Sequence, residues 1–322
     1  MPLSRARGNQ IQPYALIETG ASRLTFYLGN CLDVFRALPA GSVSAIVTSP
    51  PYNVGVRYRS YVDSLPRREY LAWTEEWLGA ARAALAPDGS LFLNVGTIPS
   101  DPWAAMDVAQ AARKHLHLQN TIHWIKSIAI DRDAVGGAVT LPRDLAVGHY
   151  KPINSPRFVN DCHEFVFHFT PEGRTPLDRV AIGVEYQDPS NIGRWRTGGR
   201  NRRCRGNTWF VPYETIKYRE KDRPHPATFP PKLAEYCLRL HGRERITLAM
   251  DPFLGLGSSA AAAAEMQVDF VGVELDEHYL KEALARVKAV LNARGLFGLK
   301  PGRRRKGPSL GRGPGPGNTP RI

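Results

Sequence analysis

With 322 residues, 43% of them hydrophobic and 23% charged, the chain is long enough for one large α/β domain or two modest ones around a buried core. Its longest small-apolar run, Ala260 to Ala264, is too short to cross a bilayer, and no apolar signal-like run opens the sequence, so a soluble cytoplasmic protein without membrane contact is expected. Lys and Arg number 43 against 30 Asp and Glu, a net charge of +13 that favours a polyanionic partner.

Strand and helix signals alternate along the chain. Leu24–Leu28 and Val43–Val47 read as strands on either side of a helical turn at Leu32–Leu38. Tyr70, Trp73, Trp77, Leu78 and Leu85 recur at helical spacing through Pro66–Leu85, and Pro87-Asp-Gly89 stops that helix. A strand at Ser90–Gly96, a helix over about 103–117 and strands at Thr121–Ile125 and Glu164–Phe169 follow. Residues 171–208 are rich in Gly, Pro and Arg and show no sustained period. Order resumes with a helix over 230–241, a strand at Ile246–Met250, a helix from Ser258, a strand at Phe270–Glu274 and a last helix reaching Ala293. Such alternation predicts a mostly parallel sheet covered by helices on both faces. The final residues carry Arg303, Arg304, Arg305, Lys306, Arg312 and Arg321 with no acid, and their Gly/Pro-rich composition predicts disorder. Cys31, Cys162, Cys204 and Cys237 form no CxxC pair, so neither a zinc site nor a disulfide framework is expected.

Two strand-to-loop junctions carry chemistry. Asp251-Pro-Phe-Leu-Gly-Leu-Gly257-Ser258 joins a strand to an Ala-rich helix, and its glycines let backbone approach a ligand closely. Glu274 ends the next strand, where a carboxylate can accept from both hydroxyls of a ribose. A plain glycine turn with a surface glutamate is the simpler alternative, and the GxGxxG fingerprint of nicotinamide binding is incomplete here. At the other junction, Ser49-Pro50-Pro51-Tyr52 follows a buried strand directly. Consecutive prolines stiffen the backbone, withhold two N–H groups and leave carbonyls to accept from an outside donor. An exocyclic amine is such a donor, with Ser49 as a second acceptor and Tyr52 as a stacking face. A rigid turn that merely ends the strand is the alternative.

Together, TSPPY at 48–52, HPATFP at 225–230, DPFLGLGSS at 251–259 and GVEL at 272–275 resemble the β-class amino-methylating DNA methyltransferases over most of residues 23–293. The resemblance implies a Rossmann-like fold for S-adenosyl-L-methionine-dependent methyl transfer, with an inserted target-recognition region. It implies a flexible start at 1–13, a catalytic half at 14–170, the insert at 171–208, a cofactor half at 209–295 and a basic tail at 296–322. Serine at the head of the Pro-Pro-Tyr motif is similar to the N4-cytosine members. N6-adenine enzymes usually carry Asp or Asn there.

By this resemblance Ser49, Pro50, Pro51 and Tyr52 grip a cytosine flipped from duplex DNA. Asp251, Phe253, Gly255, Gly257 and Ser258 line the methionine half of the cofactor, Glu274 holds its ribose, and His225, Pro226 and Ala227 close its carboxylate side. Two departures stand out: Asn30, beside Cys31, replaces the family's adenine-contacting Asp, and Asn94 stands where some members carry an acid suited to take the amine proton. No Pro-Cys nucleophile is present, so direct transfer without a covalent enzyme intermediate is expected. Arg194, Arg196, Arg200, Arg202, Arg203 and Arg205 form an acid-free run inside the insert, suited to guanine edges or phosphates. Lys126, Arg143 and Lys151 mark a second polar region that could face DNA. The expected partners are DNA and a cognate restriction endonuclease. N6-adenine methylation and a catalytically silent DNA-binding protein remain the alternatives, with a nicotinamide oxidoreductase the weakest.

Overall fold

The sheet forms where short β-branched and aromatic runs are buried on both faces. The computed structural model describes residues 11–56, 59–61, 63–134, 141–148, 153–194, 199–212 and 228–296. In chain order the first half comprises β1 (Ala15–Glu18), β2 (Arg23–Leu28), α1 (Cys31–Ala37), β3 (Val43–Thr48), α2 (Arg67–Ala84), β4 (Leu85–Val95), α3 (Ala104–Ala112) and β5 (His117–Ile125). The second half comprises β6 (Ser127–Ile130), β7 (Leu145–Gly148), β8 (His163–Thr170), β9 (Thr208–Phe210), α4 (Pro231–His241), β10 (Ala249–Asp251), α5 (Ser258–Met266), β11 (Phe270–Glu274) and α6 (Glu277–Ala293).

Among the described residues nine strands make one sheet in the order β1-β2-β11-β10-β3-β4-β8-β5-β9, while β6 and β7 form a separate hairpin. From β2 to β4 the pairing is parallel; β8 runs antiparallel to both β4 and β5. All six residues of β3 are buried, as a central parallel strand with helices on both faces requires. On one face Leu24, Phe26, Ala45, Val47 and Phe92 pack against α4, α5 and α6; on the other Val43, Ile46, Leu91, Leu93 and Val95 pack against α1, α2 and α3. The doubly covered α/β sheet is the architecture expected from the alternating pattern. Among the described residues no helix is long and apolar enough to cross a membrane.

Several elements differ from the sequence expectation. Pro87-Asp-Gly89 does not separate helix from strand: β4 begins at Leu85, and the register jumps from Val43↔Leu85 to Ala45↔Ser90, so the extra residues bulge out of the ladder. The third helix stops at Ala112, and β5 starts as early as His117. β1, the β6–β7 hairpin and β9 carried no sequence signal, because each is short and depends on a partner strand.

Topology sorts the two long excursions. β5 ends and β8 begins at the carboxyl edge of the parallel strands, where the Lys126 N–H donates to the Cys162 carbonyl at 2.7 Å beside the Pro-Pro loop. β8 ends at the opposite edge, level with His117, whereas β9 pairs with the carboxyl end of β5, from His123 to Ile125.

Candidate active site

The Pro-Pro loop grows directly from the end of β3. Ser49 Oγ lies 2.7 Å from the Tyr52 hydroxyl, which donates to Glu164 Oε2 at 3.1 Å. Tyr70 of α2 donates its hydroxyl to the Pro51 carbonyl at 2.8 Å. Of the carbonyls expected to face an outside donor, Pro51's is therefore engaged within the protein. Beyond the loop Asn53 adopts left-handed backbone with φ 58°. Its Nδ2 donates to the Leu65 carbonyl at 2.8 Å, and its Oδ1 accepts the Leu65 N–H at 2.6 Å. The Asp63 carboxylate accepts the N–H groups of Asn53, Val54 and Val56 at 2.8, 3.1 and 3.0 Å. Burial raises the Asp63 carboxyl above the ordinary range, and those N–H groups oppose the rise. These bonds close the loop and hold Val54 and Val56 as one wall.

The facing wall is built from β10, β11 and the turns that follow them. Gly255 N–H donates to Glu274 Oε2 at 2.8 Å, and the N–H groups of Leu275 and Asp276 both donate to Oε1 at 2.9 Å. The carboxylate is thus oriented before any ligand arrives, with one of its roughly four lone-pair directions left. That is fewer than the two ribose contacts expected of it. Burial raises the Glu274 carboxyl, again against the pull of backbone N–H groups. The Phe253 ring rests on a tryptophan pair from α2, with centroids 5.5 Å from Trp73 and 5.2 Å from Trp77.

Between the walls lies a cleft of about 330 Å³. Asn30, Cys31, Ser49, Pro50, Pro51, Tyr52, Phe253, Gly255, Ser258 and Glu274 all line it. Asn30 does so while capping α1, its Oδ1 accepting the Leu32 N–H at 3.0 Å. Burial pushes the Cys31 thiol up to about 12, which removes it from nucleophilic chemistry at neutral pH.

Asp251 and Gly257, expected to touch the cofactor, stand behind the wall instead. Asp251 is 1% exposed. It accepts from Thr48 Oγ1 at 2.6 Å, Ser259 Oγ at 2.5 Å and the Phe253 N–H at 3.0 Å, and burial pushes its carboxyl up to about 6. Since Thr48 immediately precedes Ser49, this carboxylate ties the Pro-Pro loop to the glycine loop. Gly257 takes φ +76°, and a Cβ there would lie 2.7 Å from Ala283 Cβ, so α5 packs on α6 only through a glycine. His225, Pro226 and Ala227 lie outside the described residues; their neighbours Thr228 and Phe229 line the cleft.

Sequence reading missed Trp73, Tyr61, Ser60, Asp276 and Tyr279, which also line the cleft. It also missed Glu164, beside Tyr52; Lys126, expected in a polar region that could face DNA, pairs with that carboxylate at 3.0 Å. Asp276, two residues after Glu274, had a usable signal as the cap of α6; Glu164 read only as the start of a strand.

The arginine run divides. Arg202 donates to the Gly183 carbonyl and Arg205 to the Ile182 carbonyl, each at 2.9 Å, and the Arg205 guanidinium lies 4.9 Å from the Tyr236 ring centroid. These two brace the segment, Arg202 while remaining exposed like Arg194, Arg200 and Arg203, and Arg196 lies outside the described residues.

The cleft therefore sets a hydroxyl acceptor and an aromatic face opposite a nucleoside-sized carboxylate site. A family model described as DNA methylase, of the N6/N4 methyltransferase type, matches residues 43–285. Type II methyltransferase M.BglII of Bacillus subtilis is 26% identical over 266 residues, covering 79% of this chain and 66% of that one. Type II methyltransferase M.XycI of Xanthomonas campestris pv. cyanopsidis is 28% identical over 301 residues, covering 86% and 91%. Among solved structures, the cytosine-N4-specific PvuII DNA methyltransferase matches with a TM-score of 0.57 at 17% identity, covering 87% of this chain and 94% of that one. The M1.HpyAVI–SAM complex matches with a TM-score of 0.50 at 15% identity, covering 82% and 99%. These two likenesses carry the fold alone. Because the family model spans well over half its length, this chain belongs to the DNA methylase family of N6/N4 amino-methyltransferases.

Proposed function

We propose that this protein transfers the methyl group of S-adenosyl-L-methionine to the exocyclic N4 amine of a cytosine in DNA. The observation that carries the reading is a Ser-headed Pro-Pro-Tyr loop sharing one cleft with Phe253, Gly255 and Glu274. The cleft's size, about 330 Å³, suits a nucleoside-bearing cofactor, and its apolar Phe253 wall and pre-oriented Glu274 carboxylate match the two ends of such a molecule. When bound, S-adenosyl-L-methionine supplies an electrophilic methyl on a sulfonium.

The residues of the chain do the rest. Glu274 accepts from the ribose, Asn30 faces the adenine amine, and Phe253 covers the methionine side. Ser49 Oγ and the Pro50 carbonyl accept the two N–H groups of the target amine, whose lone pair is otherwise delocalised into the ring. Fixed acceptors favour a pyramidal nitrogen and orient that lone pair. N4 is inaccessible inside a duplex, so the base leaves the stack, and Tyr52 offers it a replacement face. Arg194, Arg200 and Arg203 are exposed for phosphate contact on the flank, and Lys126 stands beside the loop itself. The type II relatives support a partner endonuclease acting on the same DNA sequence.

The family spans N6 as well as N4 methylation, so adenine is the second reading. Purified protein given methyl-labelled cofactor and DNA of broad sequence content separates them, with mass spectrometry of the digested nucleosides. The expected product is N4-methylcytosine, abolished by Ser49→Ala. Labelled N6-methyladenine overturns the choice of base, and no labelled base despite cofactor binding overturns the activity.

A further inference from the structure

Methylating an amine leaves a proton to dispose of, since an N–H bond breaks as the N–C bond forms. Asn94, near the end of β4, acts here as a donor: its Nδ2 donates to Glu164 Oε2 and to the Phe165 carbonyl, both at 3.0 Å. The carboxylate beside the Pro-Pro loop comes instead from β8. The Glu164 side chain is only 12% exposed. Its Oε2 accepts from Tyr52 and Asn94, and its Oε1 accepts from Lys126 Nζ at 3.0 Å. Gly96 makes the meeting possible, because a Cβ there would lie 3.1 Å from Tyr52 Cε2 and 3.2 Å from Glu164 Cδ.

The carboxylate also sets the direction of the hydrogen bonds. Ionised Glu164 only accepts, and Tyr52 has one hydroxyl proton, which it gives to Glu164. In the 2.7 Å contact between the hydroxyls Ser49 is then the donor. Its remaining lone-pair capacity is left for an N–H in the cleft.

We propose that Glu164 is a positioning residue for methyl transfer: through Tyr52 it holds Ser49 as the acceptor of the target amine, and it receives the amine proton along the chain Ser49–Tyr52–Glu164. The inference rests on the amine-methylation reading above. The nitrogen lone pair forms the N–C bond while the methyl group's bond to the sulfonium would break with its pair left on sulfur, and the amine N–H bond breaks with its pair left on nitrogen. The proton passes to Ser49 Oγ, the Ser49 proton to the Tyr52 oxygen, and the Tyr52 proton to Glu164 Oε2. Both hydroxyls keep one proton each, so the net change in the protein is a neutral Glu164, which returns its proton to water.

Other charged and titratable groups surround this carboxylate. Lys126 follows β5, Asp161 and His163 precede it on the chain, and His123 of β5 lies with its ring 5.5 Å from that of His163. Burial, His123 and Lys126 hold the His163 imidazole below its ordinary value.

The test is single-turnover methylation across pH with saturating cofactor and DNA. The proteins compared are wild type, Glu164→Gln, Tyr52→Phe, their double variant and His163→Asn, each checked for cofactor affinity by calorimetry. Wild type and His163→Asn should both slow at low pH. Glu164→Gln should lower the rate by about 10²-fold and abolish that acid limb, with cofactor affinity unchanged. Tyr52→Phe keeps the stacking ring and should lose as much, and the double variant should be no slower than either single. Tyr52→Phe removes one hydroxyl only, so it decides the matter even where Glu164→Gln fails to fold. A Glu164→Gln rate within about threefold of wild type, a persisting acid limb, or additive losses overturn the inference. A wild type that methylates no base overturns the proposed function instead.

Discussion

Gly257→Ala tests the joint on which the cofactor-side loop turns into α5. Gly257 holds φ +76°, a conformation that costs an alanine roughly 1–2 kcal/mol. The new Cβ would lie 2.7 Å from Ala283 Cβ and 3.0 Å from Ala283 Cα, well inside ordinary carbon contact. Relieving that overlap in a close-packed interior costs about a further 1–3 kcal/mol. Against this, alanine restricts the unfolded chain and returns roughly 0.4–1 kcal/mol. The net expectation is a loss of about 2–4 kcal/mol, a sizeable part of the roughly 5–15 kcal/mol that holds a domain folded. Urea unfolding followed by fluorescence of the buried Trp77, Trp124 and Trp209 measures it. Ala283→Gly removes the nearest clashing atom while leaving the left-handed backbone, so the two substitutions should couple favourably by about 1 kcal/mol or more. A Gly257→Ala cost below about 1 kcal/mol, or strict additivity with Ala283→Gly, would refute the reasoning.

Tyr70→Phe removes the hydroxyl that holds the Pro51 carbonyl and should cost about 1–2 kcal/mol in urea unfolding. Single-turnover methylation should slow while calorimetry shows cofactor affinity unchanged; equal loss of both would place Tyr70 in general stability. Glu274→Ala should weaken cofactor binding by about 10- to 100-fold, the worth of a hydrogen bond to a charged group, and unaltered affinity would remove Glu274 from the ribose site. Burial holds His168 down to about 3 and His241 to about 4, and both share Ser90 Oγ as a neutral hydrogen-bonded group. Below about pH 6.5 the unfolded chain takes up protons that the folded chain refuses, so stability falls as pH drops towards 4 and is fully present above 6.5. Each histidine contributes a slope of up to about 1.4 kcal/mol per pH unit. Urea unfolding at pH 5 and pH 7 should show a smaller pH difference for His241→Gln than for wild type.

Much of this protein is determined by local sequence. Alternating hydrophobic runs suffice for the order of strands and helices because each central strand, such as Val43–Thr48, is buried by its own composition. Ser49-Pro-Pro-Tyr52 and the loop before Ser258 are recognisable because glycine and proline act on the backbone at their own positions, whatever the fold around them. Other features required the chain to close on itself. Tyr52 and Glu164 stand 112 positions apart, and Thr48 and Asp251 stand 203 apart. Their meeting depends on β8 inserting antiparallel beside β4 and on β10 pairing with β3. The same topology sent Asp251 and Gly257 behind the cleft wall and left Lys126 and Glu164, rather than the base of the arginine segment, beside the Pro-Pro loop. Hydrogen bonds and steric contacts act over a few ångströms, and which atoms come that close is decided by sheet order and register, not by separation along the chain.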